Sequence, residues 1–264
     1  GPTAAELAVI AALEAATNAK NNTLTATGNV STSLTTANGA VTSANTANTA
    51  INTAINNVER LTTPSDIQGA INTISNNITT LTTAKATAQT ALQTAQTAKA
   101  LAEQKAVLAK TAYDTALSAG ATIEQLSAVL ALVNEANSAV TSATTALTTT
   151  QTQVSTLDGL INVANTKLEV AKVKVEILNA TANVTTSITT ATSAITTAKV
   201  TSESINTTLS NIEGTVNLAL VQSAINTISN NIATLTTAKS TAQTALETAQ
   251  TAKALAEQKA VLAK

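Results

Sequence analysis

The chain contains no cysteine, histidine, methionine, tryptophan or phenylalanine, and its only aromatic residue is Tyr113. Without histidine and cysteine, neither the Ser/His/Asp nor the Cys/His nucleophilic arrangement can be built. Zinc sites of the usual Cys/His type are excluded for the same reason, and no disulfide framework can form. The sequence therefore predicts a protein that is not an enzyme and that holds no metal and no cofactor.

Charge is scarce as well. Charged residues make up 11% of the chain, the formal net charge is −1, and Arg60 is the only arginine among 14 basic residues. Nucleic-acid binding requires clustered basic side chains for the phosphates and aromatic rings for the bases. We therefore expect no nucleic-acid partner. No apolar run approaches the roughly 18 residues that a membrane-spanning helix needs, so we expect no membrane insertion of this segment.

The acidic residues offer no obvious catalytic pair. Those of residues 1–135 are separated along the chain: Glu6, Glu14, Glu59, Asp66, Glu103, Asp114, Glu124 and Glu135. Glu6 and Glu14 are two helical turns apart and could share a helix face, where a solvated surface pair is the expected arrangement. No glycine-rich loop of the phosphate-binding type precedes a helix.

Threonine, alanine and asparagine dominate what is present. Apolar residues form 44% of the chain, but they are alanine, leucine, isoleucine and valine. Side chains of this size cannot fill a thick core, so they predict a narrow seam between closely spaced helices and an elongated bundle.

An internal repeat is the strongest signal in the sequence. Residues 70–110 recur at 224–264, an offset of 154 residues, and differ only at the pairs Thr79/Ala233, Ala86/Ser240 and Gln93/Glu247. Residues 28–59 match 182–213 more loosely at the same offset.

A period near this length is too long for solenoids built from single hairpins, whose repeats span ~20–50 residues. It favours a repeat that is itself a small bundle, with a truncated first unit at 1–120 and a second at 121–264. The alternative is a duplication inside one domain. The start at Gly1-Pro2 resembles a protease scar and, with no initiator methionine, indicates a piece of a longer array.

Apolar residues recur at steps of three and four, which is typical of amphipathic helices. One stripe comprises Val30, Leu34, Ala37, Val41, Ala44, Ala47, Ile51, Ala54 (or Ile55) and Val58. Another comprises Ile71, Ile74, Ile78, Leu81, Ala84, Ala88, Ala91, Ala95, Ala98, Ala102, Ala106 and Ala109. No period-two pattern competes with them.

Local signals predict where the helices begin and end. Thr63-Pro64-Ser65-Asp66 predicts a capped start, Gly120 a stop, and Thr122 with Gln125 a capping box. Further breaks are predicted at Asp158-Gly159 and Gly214, and weaker ones at Gly28 and Gly39. The predicted helices are 4–62 (broken near 21–29 or continuous), 64–118, 122–157, 160–212 and 217–264. The predicted fold is all-α, with elongated antiparallel bundle units of three or four helices in tandem.

Together, the 70–110/224–264 duplication and the turns at Thr63-Pro64 and Gly120-Ala121-Thr122 resemble the tandem helical-bundle repeats of large bacterial surface and matrix-binding proteins, which are spectrin-like in outline. The resemblance covers the whole chain but is architectural, since threonine is commoner here and the buried tryptophan of spectrin is missing. It implies an extracellular location, with neighbouring repeats of the same chain as partners. The lack of cysteine agrees with this location and with a cytosolic one.

Two residue groups have competing interpretations. Lys99, Lys105 and Lys110 with Glu103 recur as Lys253, Lys259 and Lys264 with Glu257. They indicate a polar contact to a partner or, more simply, a solvated face with cations near a helix C-terminus. Glycosylation sequons occur at Asn21, Asn29, Asn77, Asn179, Asn183 and Asn206. We expect these to be chance matches, because a sequon within a helix is a poor acceptor.

The threonines beside the second stripe have a functional alternative. Thr83, Thr87, Thr90, Thr94 and Thr97 follow helical spacing, and Thr83 and Thr94 are eleven residues apart. This resembles the Ala/Thr faces of helical fish antifreeze proteins, although threonine here occupies several faces. The leading hypothesis is a stalk, spacer or adhesive module of a repetitive cell-surface protein. The alternatives are an ice-binding module and an intracellular coiled-coil scaffold.

Overall fold

Four long helices account for nearly all of the computed structural model, which describes residues 1–262. They are α1 (Ala4–Val58), α2 (Pro64–Ser118), α3 (Ile123–Ile212) and α4 (Leu218–Leu262), and no strand occurs among the described residues. The predicted all-α fold is confirmed. None of the described helices has a stretch that is long and apolar enough to cross a membrane.

Each helix of the first part of the chain carries a line of buried residues at seven-residue spacing, which we call its seam. The α1 seam is Val9, Ala16, Thr23, Val30, Ala37, Ala44, Ile51 and Val58. The α2 seam is Ile67, Ile74, Leu81, Ala88, Ala95, Ala102, Ala109 and Ala116, and the α3 seam is Val129, Ala136, Ala143, Thr150, Leu157 and Ala164. Seven-residue spacing is the coiled-coil repeat, which keeps one helix face on its neighbours along the whole helix.

Threonine is tolerated in these seams because its hydroxyl bonds within its own helix. Thr23 Oγ1 donates to the Ala19 carbonyl at 2.8 Å, and Thr150 Oγ1 donates to the Ala146 carbonyl at 2.9 Å. Both side chains are fully buried. A buried hydroxyl with a partner avoids most of the desolvation cost that an unpaired one would carry.

The predicted helix signals are confirmed at three turns. The amide of Asp66 donates to Thr63 Oγ1 at 3.2 Å, so Thr63 caps α2. At the start of α3, the amide of Gln125 donates to Thr122 Oγ1 at 3.1 Å and the amide of Thr122 donates to Gln125 Oε1 at 2.8 Å, a complete capping box. Gly120 and Gly214 adopt φ values of +80° and +82° and terminate α2 and α3.

The predicted break at Asp158-Gly159 is wrong, because α3 runs through it without interruption. Leu157 is fully buried in the seam, and Asp158 forms an ion pair with Lys85, with 2.7 Å between Oδ1 and Nζ. A helical glycine costs about 1 kcal/mol relative to alanine, less than such contacts supply. The predicted helix 4–62 is continuous through Gly28 and Gly39, but it ends earlier, at Val58.

Residues 1–56 and 72–167 form the first of two compact units. It contains α1, α2 and the first half of α3, three helical segments packed through their seams. The parallel helices α1 and α3 are held in register by contacts between residues that are 115 positions apart in the sequence. Gln153 Nε2 donates to Asn38 Oδ1, and Lys167 Nζ donates to Asn52 Oδ1. Lys20 and Glu135, which are also 115 positions apart in the sequence, form an ion pair with 3.7 Å between Nζ and Oε2.

The second unit comprises residues 57–71 and the chain from 168 onward, that is, the second half of α3 with α4 and the α1–α2 turn. Lys259 pairs with Glu176 at 2.8 Å, and Asn231 Nδ2 donates to Ser204 Oγ at 3.2 Å, which joins α4 to α3. These two units are defined by which residues contact one another in the structure, and not by the sequence repeat. The domain boundary near residue 120, which rests on the sequence repeat, stays a prediction.

Candidate functional surfaces

A groove lined by small hydroxyl side chains lies between α1 and α2 in the first unit. It has a volume of about 450 Å³ and is lined by Thr36, Gly39, Ala40, Ser43, Thr79, Thr80, Thr83, Ala84 and Thr87. Ala40 and Ala84 are buried and form its floor. Alanine at the floor lets the helices approach closely, while threonine borders the opening.

The same groove recurs in the second unit, between α3 and α4. Its volume is about 620 Å³, and its lining is Thr189, Thr190, Ser193, Ala194, Thr197, Ala233, Thr234, Thr237, Ala238 and Thr241. Apart from Thr189, each lining residue lies 154 positions after a lining residue of the first groove. Neither groove is lined by a titratable side chain, so its chemistry is limited to van der Waals contact and neutral hydrogen bonding.

The predicted threonine array lies along the rim of the first groove and its continuation. Thr83, Thr87, Thr90 and Thr94 line this region, and all five array members, including Thr97, are exposed. Neighbouring threonines use their hydroxyls internally: Thr79, Thr80 and Thr82 each donate to the carbonyl four residues earlier. The hydroxyls of the array make no hydrogen bond to any of residues 1–262, so they are available to an external partner.

The second copy of the array has the same character. Thr237, Thr241, Thr244, Thr248 and Thr251 are exposed, and their hydroxyls likewise make no bond within the part of the chain that the structure describes. Hydroxyl side chains at a step of seven on α1 and α2, such as Thr36 with Ser43 and Thr80 with Thr87, could have revealed the groove from the sequence. The sequence analysis missed the groove because it considered the apolar residues at steps of three and four and the threonines of one helix, not the hydroxyl side chains of two helices together.

The repeated lysines are mostly engaged in local ion pairs. Lys99 pairs with Glu103 at 2.5 Å, and Lys110 pairs with Asp114 at 2.6 Å. Lys105 has no ion pair with a described residue. These contacts on one helix face match the simpler interpretation, a solvated surface.

In the second copy, Lys253 pairs with Glu257 at 2.6 Å, and the hydrogen bond and charge of that carboxylate raise the pKa of the Lys253 ammonium. Lys259 differs, since it reaches across to Glu176 of α3. Lys264 lies outside the described residues.

The remaining candidates lie on exposed helical surface. Glu6 and Glu14 are both exposed on α1, and Glu6 contributes its amide to an N-cap formed by Thr3. All six sequon asparagines lie within helices, and Asn77 donates its side-chain amide to the Thr73 carbonyl at 2.8 Å. Within residues 1–262, no three acidic side chains are grouped so as to hold a metal ion.

Comparison with protein-family models, curated proteins and solved structures finds no match to this chain.

Proposed function

We propose that this chain is a structural spacer from a large repetitive extracellular protein, built from tandem helical bundles and without catalytic activity. The observation that carries the proposal is α3, a single helix of 90 residues whose first half belongs to one unit and whose second half belongs to the next. A helix of this length without a break contains no flexible linker, which suits a segment that must hold two ends apart.

The sequence period supports the same function. An offset of 154 residues is a whole number of heptads, so each seam position recurs in phase from one copy to the next. A chain lengthened by whole repeats would keep every seam on the correct helix face. The resemblance to the helical repeats of bacterial surface proteins points the same way, and neutral grooves without titratable groups favour structure over chemistry.

Chains with one, two and three added copies of the 154-residue repeat test the proposal. A spacer requires the maximum dimension from small-angle X-ray scattering to grow by a constant increment per repeat. The matched control replaces each added repeat with a Gly/Ser segment of equal length, whose dimension grows only as about the square root of its length. A maximum dimension that does not rise with repeat number contradicts the proposal.

The extracellular location has a separate test. Antibodies against the chain are expected to label intact cells of the producing organism, without permeabilisation. Labelling that requires permeabilised cells would favour the intracellular scaffold instead, in which helices pair between molecules. Sedimentation would then show a mass that rises with protein concentration.

Ice binding is the second candidate, favoured by the free hydroxyls of the threonine array in both copies. Its test is inhibition of ice recrystallisation at micromolar protein, with a variant in which Thr87, Thr94, Thr241 and Thr248 are replaced by lysine. An ice-binding face predicts inhibition by the wild type and its loss in the variant. A wild type without effect rejects this candidate and leaves the spacer unaffected.

A further inference from the structure

The two copies of the repeated helix have almost the same sequence but are buried to different extents. In α2, the seam residues Ile74, Leu81, Ala88, Ala95 and Ala102 are completely buried. Their counterparts 154 residues later on α4 are Ile228, Leu235, Ala242, Ala249 and Ala256, and all five are only half-buried. Since the sequences match, the difference arises from what covers each helix.

A second line of α4 residues keeps its burial. Ala238, Ala245 and Ala252 are 6–7% exposed, and the matching Ala84, Ala91 and Ala98 of α2 are 5–8% exposed. In the second unit this line packs against α3, as it packs against α1 in the first. The contact between the two antiparallel helices is therefore equally complete in both units, and only the remaining face of α4 differs.

The second half of α3 shows the same division. Its residues Ala180, Ser187, Ala194 and Thr201 are buried. In contrast, Val184, Ala191, Ala198 and Ile205 are half-buried, although their α1 counterparts Val30, Ala37, Ala44 and Ile51 are fully buried. Both helices of the second unit thus leave the same kind of position uncovered.

These uncovered positions are bordered by large apolar side chains, which together we call the open face: Ile188, Ile195 and Leu209 of α3 with Ile225, Ile232 and Leu246 of α4. All six are 49–58% exposed. In the first unit, the equivalent face is covered by the first half of α3. There Val30 of α1 and Ala95 of α2, the counterparts of Val184 and Ala249, share a buried cluster with Ala143 of α3.

An unpaired cation agrees with a missing helix. In the first unit, Lys85 of α2 pairs with Asp158 of α3 at 2.7 Å. Its counterpart in α4 is Lys239, which is exposed and has no acidic partner among residues 1–262. Lys99 shows the same trend, because its side chain is 23% exposed while that of the matching Lys253 is 72% exposed.

We propose that the open face is the docking site for a third helix with the seam of residues 123–167, supplied in the same polypeptide by a further repeat. The helix that covers α2 is the one that follows it in sequence, after the short turn at 119–122. A helix of this type would place small apolar residues against the α3 and α4 seams and an aspartate beside Lys239. The inference rests on the proposed function, since it describes how one repeat completes the next.

The test extends the chain after Lys264 with a copy of its own residues 111–167, which continues the repeat in phase. Hydrogen–deuterium exchange is then measured in residues 228–256. Docking predicts that exchange there slows on the order of tenfold or more and approaches the rates of residues 74–102. Unchanged exchange in 228–256 would overturn the proposal.

The control extension carries Val129→Glu, Ala136→Glu and Ala143→Glu within the appended copy only, which keeps the added length but places charges in its seam. It is expected to leave exchange in 228–256 as in the parent chain, and equal protection by both extensions would overturn the proposal. Protection of the unextended chain that rises with protein concentration would also overturn it, because the occupant would then be a second molecule.

The outcomes separate this inference from the spacer function. Slower exchange without growth in the maximum dimension across the repeat series would reject the spacer and retain the docking site. A maximum dimension that grows while exchange in residues 228–256 stays unchanged would retain the spacer and reject the docking site.

Discussion

At the scale of single residues, the fold depends on small side chains that satisfy their own polar groups. Threonine is the clearest case, because in the seam its hydroxyl bonds to the preceding helical turn, while in the array it makes no bond to any described residue. The same residue type can therefore occupy core and surface. This is why composition alone could not indicate which threonines line the grooves.

The capping box at the start of α3 gives a prediction at this scale. Thr122→Ala removes the side-chain acceptor for the Gln125 amide, which the structure places 3.1 Å away. We expect the free energy of unfolding to fall by about 1 kcal/mol, measured by urea denaturation followed by circular dichroism. Thr122→Ser retains the acceptor and should keep most of the stability. An alanine variant as stable as the wild type would show that the cap contributes nothing.

Glycine supplies a second prediction, with two positions as mutual controls. Gly159 has helical geometry and open space where a Cβ would lie, so Gly159→Ala should stabilise by about 0.5–1 kcal/mol. Gly120 adopts φ +80°, so Gly120→Ala should destabilise by about 1–2 kcal/mol. Thermal denaturation of both variants checks this. A destabilising Gly159→Ala would contradict an unbroken α3.

At the scale of helices, much of the structure could be predicted from sequence. The bounds of α2 were predicted to the residue by its threonine cap and by Gly120, since these signals act over a few neighbouring positions. The continuity of α3 could not be predicted in the same way. Asp158-Gly159 has the local character of a break, and only the distant Lys85 and the seam around Leu157 override it.

Matched leucines in α2 and α4 test the burial difference energetically. Leu81 is fully buried, so Leu81→Ala should cost ~2–5 kcal/mol in the first unit. Leu235, its counterpart, is half-buried, and Leu235→Ala should cost clearly less because part of its surface is already in water.

Tyr113 makes this comparison measurable, because it packs against the buried cluster of the first unit and is the only aromatic residue. The midpoint of the urea transition that tyrosine fluorescence reports should fall to lower urea for Leu81→Ala and stay unchanged for Leu235→Ala. The effect of Leu235→Ala should appear only in the transition followed by circular dichroism. Equal losses for the two variants would contradict the assigned burial.

At the scale of the whole molecule, one sequence period organises both units. The repeat of 154 residues preserves heptad phase, so the seam positions of residues 30–58 and 74–102, the threonine array and the groove recur at corresponding positions. The duplication was visible in the sequence. The unequal burial of its two copies was not visible in the sequence, because burial depends on whether a third helical segment packs against each copy.

Hydrogen–deuterium exchange of the unmodified chain tests this central claim most directly. Residues 74–102 and 228–256 differ at three positions only, so their intrinsic exchange rates are nearly equal. Slower exchange in 74–102 than in 228–256 is the predicted result, since only the first segment has a fully buried seam. Equal protection of the two segments would contradict it.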